Sequence, residues 1–563
     1  MFARREETIS IINFVLLAYT DLFNKRAYDM VGTTKNPKEL VVYSYDRDNK
    51  EMKQTYTYKH TSDIHAVIPS SFDDSKRGSL LLITKNQDGT FENNILFTES
   101  NTVLKLPNTT AAPLLLSKDL TLKPILLLQK KNGLITVEFD NQGKYTENPE
   151  TSILEKGEKI HKDHTSTFVD LTGDHKADLA LVTEKDKFKY LKVLKNTSNG
   201  FKKFFVMKLP EKTGPLIFND LNKNGMNDLA FVSFEDGKYY LNVYFNTNSR
   251  TDPMAYKSSE KGLEFENLNA KIFSGASDFV IKQDLSHLSS GQVEFRLSCE
   301  VLGNVPSGIF DTDIDLDKNI EIFLIADKNK EGDIVFPLKF NPEKNEFDIN
   351  KDMKTIMSEK NVISFSACDY KNEGRELWVV NKIDNNNPQV KIFPNILRPE
   401  NMKISVTTVL DKTKTLYGCG IAGTSYLLSY DEGTNISIGN SLPPGPFLHL
   451  KNQTTTFGLG CRTFHINILR STVPSYGDYK ETYVVKYDIV QNFDLIVGIG
   501  KHGDYNIRAF IIADIYLVKI ISVLITVIIL NFIIVGILHF RHARKQREAR
   551  TRDSMHPLFR SLG

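Results

Sequence analysis

The sequence predicts an all-β protein: a β-propeller, a second β domain after it, and one C-terminal membrane helix. Three observations support this prediction. Strand-loop-strand units recur along most of the chain, the composition favours strands, and a long uncharged apolar run lies near the end. The chain has 563 residues, more than one ordinary domain holds. Its 35 Phe and 22 Tyr, with many β-branched residues, are typical of sheets.

The repeat is clearest in four segments. Each is a short apolar run, then a loop rich in acidic residues, Asn and Gly, then an acidic residue that leads into a second apolar run. These segments are Phe168–Val182, Ile217–Val232, Ile309–Ile325 and Phe365–Val380. Three earlier segments, starting at Lys38, Gly78 and Lys123, keep only the second apolar run.

The spacing of these units predicts the number of blades. The second runs begin at Leu40, Leu80, Ile125, Leu179, Leu229, Ile322 and Leu377, with gaps of 40, 45, 54, 50, 93 and 55 residues. A period of about 40–50 residues is typical of propeller blades. We interpret the gap of 93 as an insertion near Asn248–Lys271 rather than an eighth blade. Residues 22–398 are thus predicted to form a seven-bladed propeller, and a β-sandwich with chance similarity is the alternative.

The remainder of the chain differs from these repeats. Residues 399–514 combine alternating strands with Gly- and Pro-rich turns (PPGPF, FGLG), which predicts a membrane-proximal β domain. The following segment, Ile520–Phe540, has no charged residue. About 20 such residues are needed to cross the bilayer as a helix, so residues 519–540 are predicted to be a transmembrane helix.

The flanks of this helix predict its orientation. The tail, residues 541–563, is basic: it contains Arg541, Arg544, Lys545, Arg547, Arg550 and Arg552. Such flanks face the cytosol, so the rest of a single-pass type I protein lies outside, at the plasma membrane or in the secretory pathway. Arg4 and Arg5 precede an apolar run at Ile9–Ala18, which predicts a signal peptide over residues 1–21. An uncleaved anchor or a buried first strand are the alternatives.

An exported chain is expected to be modified. Sequons at Asn108, Asn196, Asn435 and Asn452 predict a glycoprotein. There are four cysteines and no CxxC pair, which argues against a zinc ribbon or a thioredoxin-type site. An oxidising compartment makes a Cys419–Cys461 disulfide one pairing that the sequence allows. The net charge of +2 indicates neither a nucleic acid nor an acidic partner.

The acidic loops have oxygen ligands at calcium spacing. Side chains at loop positions 1, 3, 5 and 9 can surround one Ca²⁺ ion, which takes 6–8 oxygen ligands. Three loops fit this pattern. The first has Asp170, Thr172, Asp174 and Asp178, the second has Asp220, Asn222, Asn224 and Asp228, and the third has Asp313, Asp315, Asp317 and Glu321. The alternative for each is a solvated acidic turn. In a fourth loop Asp369 and Glu373 remain, but Glu376 lies one place early, so no metal is predicted there.

Catalytic motifs are absent from the sequence. It contains no HExxH, no GxSxG and no phosphate-binding glycine loop, so a protein without enzymatic activity is predicted. His161 and His164 lie beside Asp163 in a polar stretch that we interpret as a solvated turn.

The loop-plus-strand units resemble FG-GAP repeats, the blades of integrin α-chain propellers. The chain also resembles the T-cell immunomodulatory protein family in its order of segments and in three motifs. The motifs lie at Phe457–His465, Val490–Gly500 and Ile534–Phe540. The resemblance implies a cell-surface or secreted glycoprotein whose ectodomain binds a protein ligand and modulates T cells. It names no catalytic residue.

Three functions follow from these patterns. The first is a membrane-bound ectodomain that binds an unknown cell-surface protein; in a parasite it would act on host immune cells. The second is an adhesion or secretory-pathway membrane protein without an immune role. The third is a calcium-dependent hydrolase, because FG-GAP blades also accompany some phospholipases. The missing appended catalytic domain argues against the third.

Overall fold

Strands make up most of the secondary structure in the described part of the chain. The computed structural model describes residues 8–560 except 24–27, 47–48, 50, 76, 119–122, 175, 198–199, 247–279, 289–292, 298–307, 329–331, 370–376, 385, 396, 398–400, 411–418, 431–434, 443–449, 452, 462–465, 473–482, 490–492, 500–504 and 512–514. It has two compact units, Met1–Phe510 and Ile511–Gly563. The predicted insertion at residues 248–271 lies outside the described residues.

Sheets 1 to 6 each use strands that follow one another in the chain, and sheet 7 adds a strand from the start of the chain. A short strand, β1 (Ile9–Ile12), precedes them. Sheet 1 contains β2 (Phe14–Thr20), β3 (Asp29–Thr34), β4 (Glu39–Asp46) and β5 (Glu51–Lys59). Sheet 2 contains β6 (Ile64–Ser70), β7 (Ser79–Lys85), β8 (Phe91–Phe97) and β9 (Thr102–Lys105). Sheet 3 contains β10 (Leu114–Lys118), β11 (Lys123–Lys130), β12 (Gly133–Phe139) and β13 (Tyr145–Glu150).

The same plan continues in the next sheets. Sheet 4 contains β14 (Lys159–Ile160), β15 (Thr167–Val169), β16 (Asp178–Lys185), β17 (Phe188–Thr197) and β18 (Gly200–Lys208). Sheet 5 contains β19 (Ile217–Asn219), β20 (Asp228–Glu235), β21 (Lys238–Tyr244) and β22 (Val280–Asp284). Sheet 6 contains β23 (Val293–Phe295), β24 (Ile309–Thr312), β25 (Glu321–Lys328), β26 (Asp333–Asn341) and β27 (Glu346–Ile349). A short helix, α1 (Lys354–Met357), leads to sheet 7, which contains β28 (Val362–Cys368), β29 (Leu377–Asp384) and β30 (Asn387–Phe393).

The repeat predicted from the sequence matches these sheets with one error. In sheets 2 to 7 the second apolar run of each unit is β7, β11, β16, β20, β25 or β29. In sheet 1 the assignment was wrong by one strand: Leu40 lies in β4, and β3 occupies the equivalent place. β4 has the longer apolar run, Leu40–Tyr43, whereas β3 has only Met30 and Val31, so the pattern favoured the wrong strand.

The predicted signal peptide is wrong for this structure. β1 pairs antiparallel with β30, with Ile9 opposite Ile392. β2 is part of sheet 1, where Phe14 is 1% exposed and Leu16 is 0% exposed. Residues 9–20 therefore belong to the folded sheets, as the buried-strand alternative predicted. A short apolar run suits a signal peptide and a buried strand equally well.

Core clusters join each sheet to the next. One cluster combines side chains of sheets 7, 1 and 2, including Val390, Leu16 and Val67. Five further clusters join sheets 2 and 3, 3 and 4, 4 and 5, 5 and 6, and 6 and 7. The order of packing thus follows the chain and returns from the seventh sheet to the first.

Two more sheets form the C-terminal β domain. Sheet 8 contains β31 (Met402–Leu410), β34 (Thr455–Gly460), β37 (Phe493–Ile499) and β38 (Tyr505–Ile511). Sheet 9 contains β32 (Thr424–Tyr430), β33 (Asn435–Ser441), β35 (Ile466–Thr472) and β36 (Tyr483–Ile489). Both sheets contribute side chains to one core cluster, including Val406 and Leu428. The FGLG sequence lies in β34 rather than in a turn, and PPGPF lies outside the described residues.

The second unit contains helix α2 (Ile515–Arg560). Its segment Ile521–Thr551 is long and apolar enough to cross a membrane by length and composition, and its most apolar window is 0% buried. The predicted apolar span is therefore helical. The helix does not end at Phe540 but continues through the basic residues.

Leu16→Ala should lower the free energy of unfolding by about 2–5 kcal/mol, because it removes a buried core side chain. Ile12→Ala is the matched control. That side chain is 66% exposed, so its loss should cost less than about 0.5 kcal/mol. Chemical unfolding of the full-length protein in detergent measures both. Equal stability of the two variants would mean that residues 9–20 are not part of the folded protein.

His164 is buried rather than solvated, contrary to the sequence interpretation. Its Nε2 lies 2.9 Å from the Ala112 carbonyl oxygen, and the Ser166 N–H donates to its Nδ1. Burial lowers the pKa of His164 to about 4, because the charged imidazolium would lose its hydration. The folded state therefore holds the neutral ring, while the unfolded chain takes up a proton near the ordinary pKa of about 6.5.

Stability should consequently fall as the pH drops from about 6.5 towards 4, by about 2 kcal/mol between pH 7 and pH 5. His164→Gln should remove this contribution to the slope. His542→Gln, at an exposed position of α2, should leave it unchanged. Denaturant unfolding at the two pH values measures the effect, and an unaltered slope in His164→Gln would contradict the assignment.

Candidate metal centre and the domain interface

The acidic residue at loop position 9 stabilises the turn of each predicted loop. Its carboxylate accepts a hydrogen bond from the backbone N–H seven residues earlier. The pairs are Asp178 with Leu171 (3.0 Å), Asp228 with Leu221 (2.9 Å) and Glu321 with Ile314 (3.2 Å). These acidic side chains are fully buried, so the bonds satisfy oxygens that water cannot reach.

Sheet 1 contains the same device, which the sequence reasoning missed. Asp29 accepts from the Leu22 N–H at 2.9 Å, again seven residues earlier. Asp21 stands at loop position 1, eight residues before Asp29, which is the spacing of the other loops. The spacing could have revealed the loop, but assigning residues 1–21 to a signal peptide hid it.

The third loop, between β24 and β25, brings its carboxylates together as predicted. Oxygens of Asp313, Asp315 and Asp317 lie within 4.8 Å of one another, and this is the one such group in the described part of the chain. Glu321, the fourth predicted ligand, is 0% exposed beside them. Burial, and then repulsion by neighbouring carboxylates, raise the pKa of Asp313 and of Glu321.

A lysine lies among these carboxylates. Lys339 in β26 is directly opposite Glu321 in the sheet. Its Nζ is 2.6 Å from Asp317 Oδ2, 3.2 Å from Asp315 Oδ2 and 3.3 Å from Glu321 Oε1. Burial alone would lower the pKa of Lys339, but the surrounding carboxylates, Glu321 foremost, raise it. The ammonium group is therefore a firmly charged partner of the loop.

In this arrangement Lys339 occupies oxygens that a bound Ca²⁺ ion would need. Calcium requires 6–8 oxygens around it, and the Lys339 ammonium uses oxygens from three of the four predicted ligands. Two cations that share these oxygens would also repel each other. Calcium at the third loop therefore stays a prediction, and Lys339 competes for the same oxygens. Sequence spacing within the loop could not reveal a residue that only strand pairing brings there.

The other two loops use their polar side chains to hold the turn. In the first loop, Asp170 Oδ1 accepts from the Gly173 N–H at 2.7 Å, and Asp174 lies 3.2 Å from Lys195 Nζ. In the second, Asp220 Oδ2 accepts from the Gly225 N–H at 2.9 Å. In the same loop, Asn222 Oδ1 accepts from the Asn224 N–H, and Asn224 Oδ1 accepts from the Met226 N–H. Thr172, in the first loop, is half-buried. Asp170 and Asp220 are buried, so these loops are not the solvated turns of the alternative, and calcium at both stays a prediction.

The C-terminal β domain packs on these loops. Its polar contacts include Cys419 with Thr20, Asn440 with Asp170 and Asn227, Gly460 with Leu316, Asn401 with Asp315, and Lys403 with Asp369. Gly458 shows how close the packing is. A Cβ atom there would lie 2.0 Å from Asp313 Oδ2, so only glycine fits. The acidic loops are thus an intramolecular interface.

An ion pair between the half-buried Lys451 and the buried Asp311 crosses this interface. Lys451 Nζ lies 2.7 Å from Asp311 Oδ2, and Asp311 is 0% exposed. Asn219 Nδ2 donates to the same oxygen at 2.6 Å. The pair borders a cavity of about 110 Å³ that is also lined by Asp220 and Lys318. Asp311 lies two residues before the predicted loop, and its role could not be predicted from the loop pattern.

The predicted modification sites have different outcomes. Asn108 is exposed, as a glycosylated residue must be. Asn196 is 3% exposed and donates to the Ala177 carbonyl oxygen, so this fold does not accommodate a glycan there. Asn435 begins β33, and Asn452 lies outside the described residues.

The predicted Cys419–Cys461 disulfide is not formed. Cys419 is buried, with Sγ 3.2 Å from Thr20 Oγ1, whereas Cys461 is exposed. The two side chains therefore occupy different environments.

No family model and no curated protein matches this chain. Similar solved structures include a putative 6-phosphogluconolactonase from Bacteroides uniformis (TM-score 0.31, 10% identity, 57% of this chain and 80% of that one). Others are the exotype rhamnogalacturonan lyase YesX (0.37, 10%, 68% and 72%) and Saccharomyces cerevisiae Sqt1 (0.33, 10%, 67% and 83%). Scores this low carry no argument about fold or function.

Lys451→Met should destabilise the protein by about 3–5 kcal/mol, because it leaves the Asp311 carboxylate buried without its cation. Adding Asp311→Asn should restore part of the loss, since no uncompensated charge then remains. Lys344→Met removes an exposed pair with Asp348 and should cost less than about 1 kcal/mol. Chemical unfolding of the full-length protein in detergent compares the three. A Lys451→Met variant no weaker than Lys344→Met would exclude a structural role for this pair.

Proposed function

We propose that this chain is a membrane-tethered binding protein whose seven repeated sheets are the blades of one propeller. The observation that carries the proposal is the order of packing. Each sheet shares a core cluster with the next, sheet 7 shares one with sheet 1, and β1 completes sheet 7. Propellers offer a rigid surface of loops, and their functions come from what those loops bind.

The C-terminal β domain covers one end of the proposed propeller, which favours the opposite end as the binding surface. That domain covers loops that join the first and second strands of a sheet, such as those holding Asp170 and Leu316. The opposite end consists of hairpins between second and third strands, such as Asp236–Gly237, and of connections between sheets. We infer that the partner, a protein on another cell, binds this second end.

Membrane attachment and the family resemblance support the rest of the proposal. Helix α2 is apolar enough to span a membrane, and the basic flank favours an outward-facing type I orientation. The resemblance to the T-cell immunomodulatory protein family favours leukocytes as the cells that are bound. We propose binding rather than catalysis, because the strongest cluster of acidic groups is engaged by Lys339 and by the domain interface.

The full-length protein in labelled nanodiscs should bind leukocytes saturably and change their cytokine release. Nanodiscs that carry only α2 are the control. Protein that is retained inside its native cells and does not bind leukocytes saturably would contradict the proposal, and would favour the secretory-pathway alternative.

Two single substitutions test which end binds. Glu211→Asn creates a sequon (Asn-Lys-Thr) in the exposed connection between β18 and β19, on the proposed binding end. Val103→Thr creates one at Asn101, in the turn between β8 and β9 at the opposite end. A glycan at position 211 should reduce leukocyte binding at least about tenfold, equivalent to about 1.4 kcal/mol, and a glycan at Asn101 should not. The reverse order would assign binding to the other end.

A further inference from the structure

We propose that the ammonium group of Lys339 is the structural cation of the third acidic loop and makes this loop independent of calcium. The loop has calcium spacing, but the chain supplies the positive charge from its own neighbouring strand. The group requiring a cation is large: Asp313, Asp315, Asp317 and Glu321 place four carboxylates in one turn.

The position of Lys339 is fixed by strand pairing. β26 is antiparallel to β25, and Lys339 is the partner of Glu321, the first residue after the loop. The side chain therefore projects beside the loop whenever the sheet forms. Its contacts with Asp315, Asp317 and Glu321 span 2.6–3.3 Å. A cation in contact with three carboxylates reduces their mutual repulsion, which is the task of a metal ion in such a loop.

The first loop repeats the arrangement independently. In sheet 4, Leu179 pairs with Leu194, so the next position along β17, Lys195, stands opposite Asp178. This is the place that Lys339 has in sheet 6. Lys195 Nζ lies 3.2 Å from Asp174 Oδ2. Two loops with three or more acidic ligands thus each have a lysine at the same register position.

The second loop, which is less acidic, has no lysine at this register position. In sheet 5, Leu229 pairs with Tyr244, so the corresponding position is Phe245, which is 5% exposed. This loop has only two acidic residues, Asp220 and Asp228, and its other two ligand positions are Asn. A lysine accompanies the loops with more negative charge, as expected of a counter-ion.

The test uses thermal unfolding of the full-length protein in detergent, with millimolar calcium chloride or with a chelator. The wild-type melting temperature should be the same in both conditions to within about 1 °C. The Lys339 ammonium group already takes the place of a calcium ion, so added calcium should not stabilise the folded protein. Lys339→Met should lower the melting temperature by roughly 3–5 °C in chelator. Calcium should then restore part of the loss, because the emptied loop has calcium spacing. Lys344→Met, on the neighbouring hairpin, should show neither effect.

Two results would overturn the proposal. One is a Lys339→Met protein that is destabilised but gains nothing from calcium, which would mean that the loop is not a cation site. The other comes from calorimetric titration of the wild-type protein with calcium chloride, which stays informative if Lys339→Met does not fold. Saturable binding that Asp315→Ala abolishes would show that the loop takes calcium despite its lysine.

Discussion

The antiparallel pairing of β1 with β30 is the contact on which the arrangement of the first seven sheets depends. It joins residues 9–12 to residues 389–392, almost the full length of the repeated region. Closing so long a loop costs entropy, although the cost grows only slowly with length. The strand pairing and the core cluster shared by sheets 7, 1 and 2 offset it. The pairing also covers the edge of β30, which would otherwise present unpaired backbone groups.

A second constraint lies within the sheets. The buried carboxylates of Asp29, Asp178, Asp228 and Glu321 each bind back to the backbone of the loop before them. These bonds shape the loops, and the loops then provide the surface on which the C-terminal β domain rests. The acidic repeat is therefore linked to domain packing: Gly458 lies directly against Asp313, and Gly460 donates to the Leu316 carbonyl oxygen. FGLG, the motif on which the family resemblance partly depends, makes both contacts.

Much of this architecture could be predicted from the sequence, because it is written in periodicity and in local spacing. The second strands of sheets 2 to 7, the acidic loops and the apolar helix all follow from patterns within about 20 consecutive residues. Features that depend on pairing between distant segments could not be predicted in this way. Lys339 meets Glu321 only through the register of β25 and β26, and Asn196 is buried only because β17 lies inside sheet 4. The first strands were taken for a signal peptide because a short apolar run suits both a signal peptide and a buried strand.

The continuity of helix α2 has a mechanical consequence. At 1.5 Å per residue, the twenty residues from Arg541 to Arg560 extend about 30 Å beyond the apolar segment, as one rod with it. The positive charges of residues 541–550 are thus carried on the same helix as the apolar segment rather than on a loose chain. Any rotation or tilt of the apolar segment would therefore turn the charged end by the same angle.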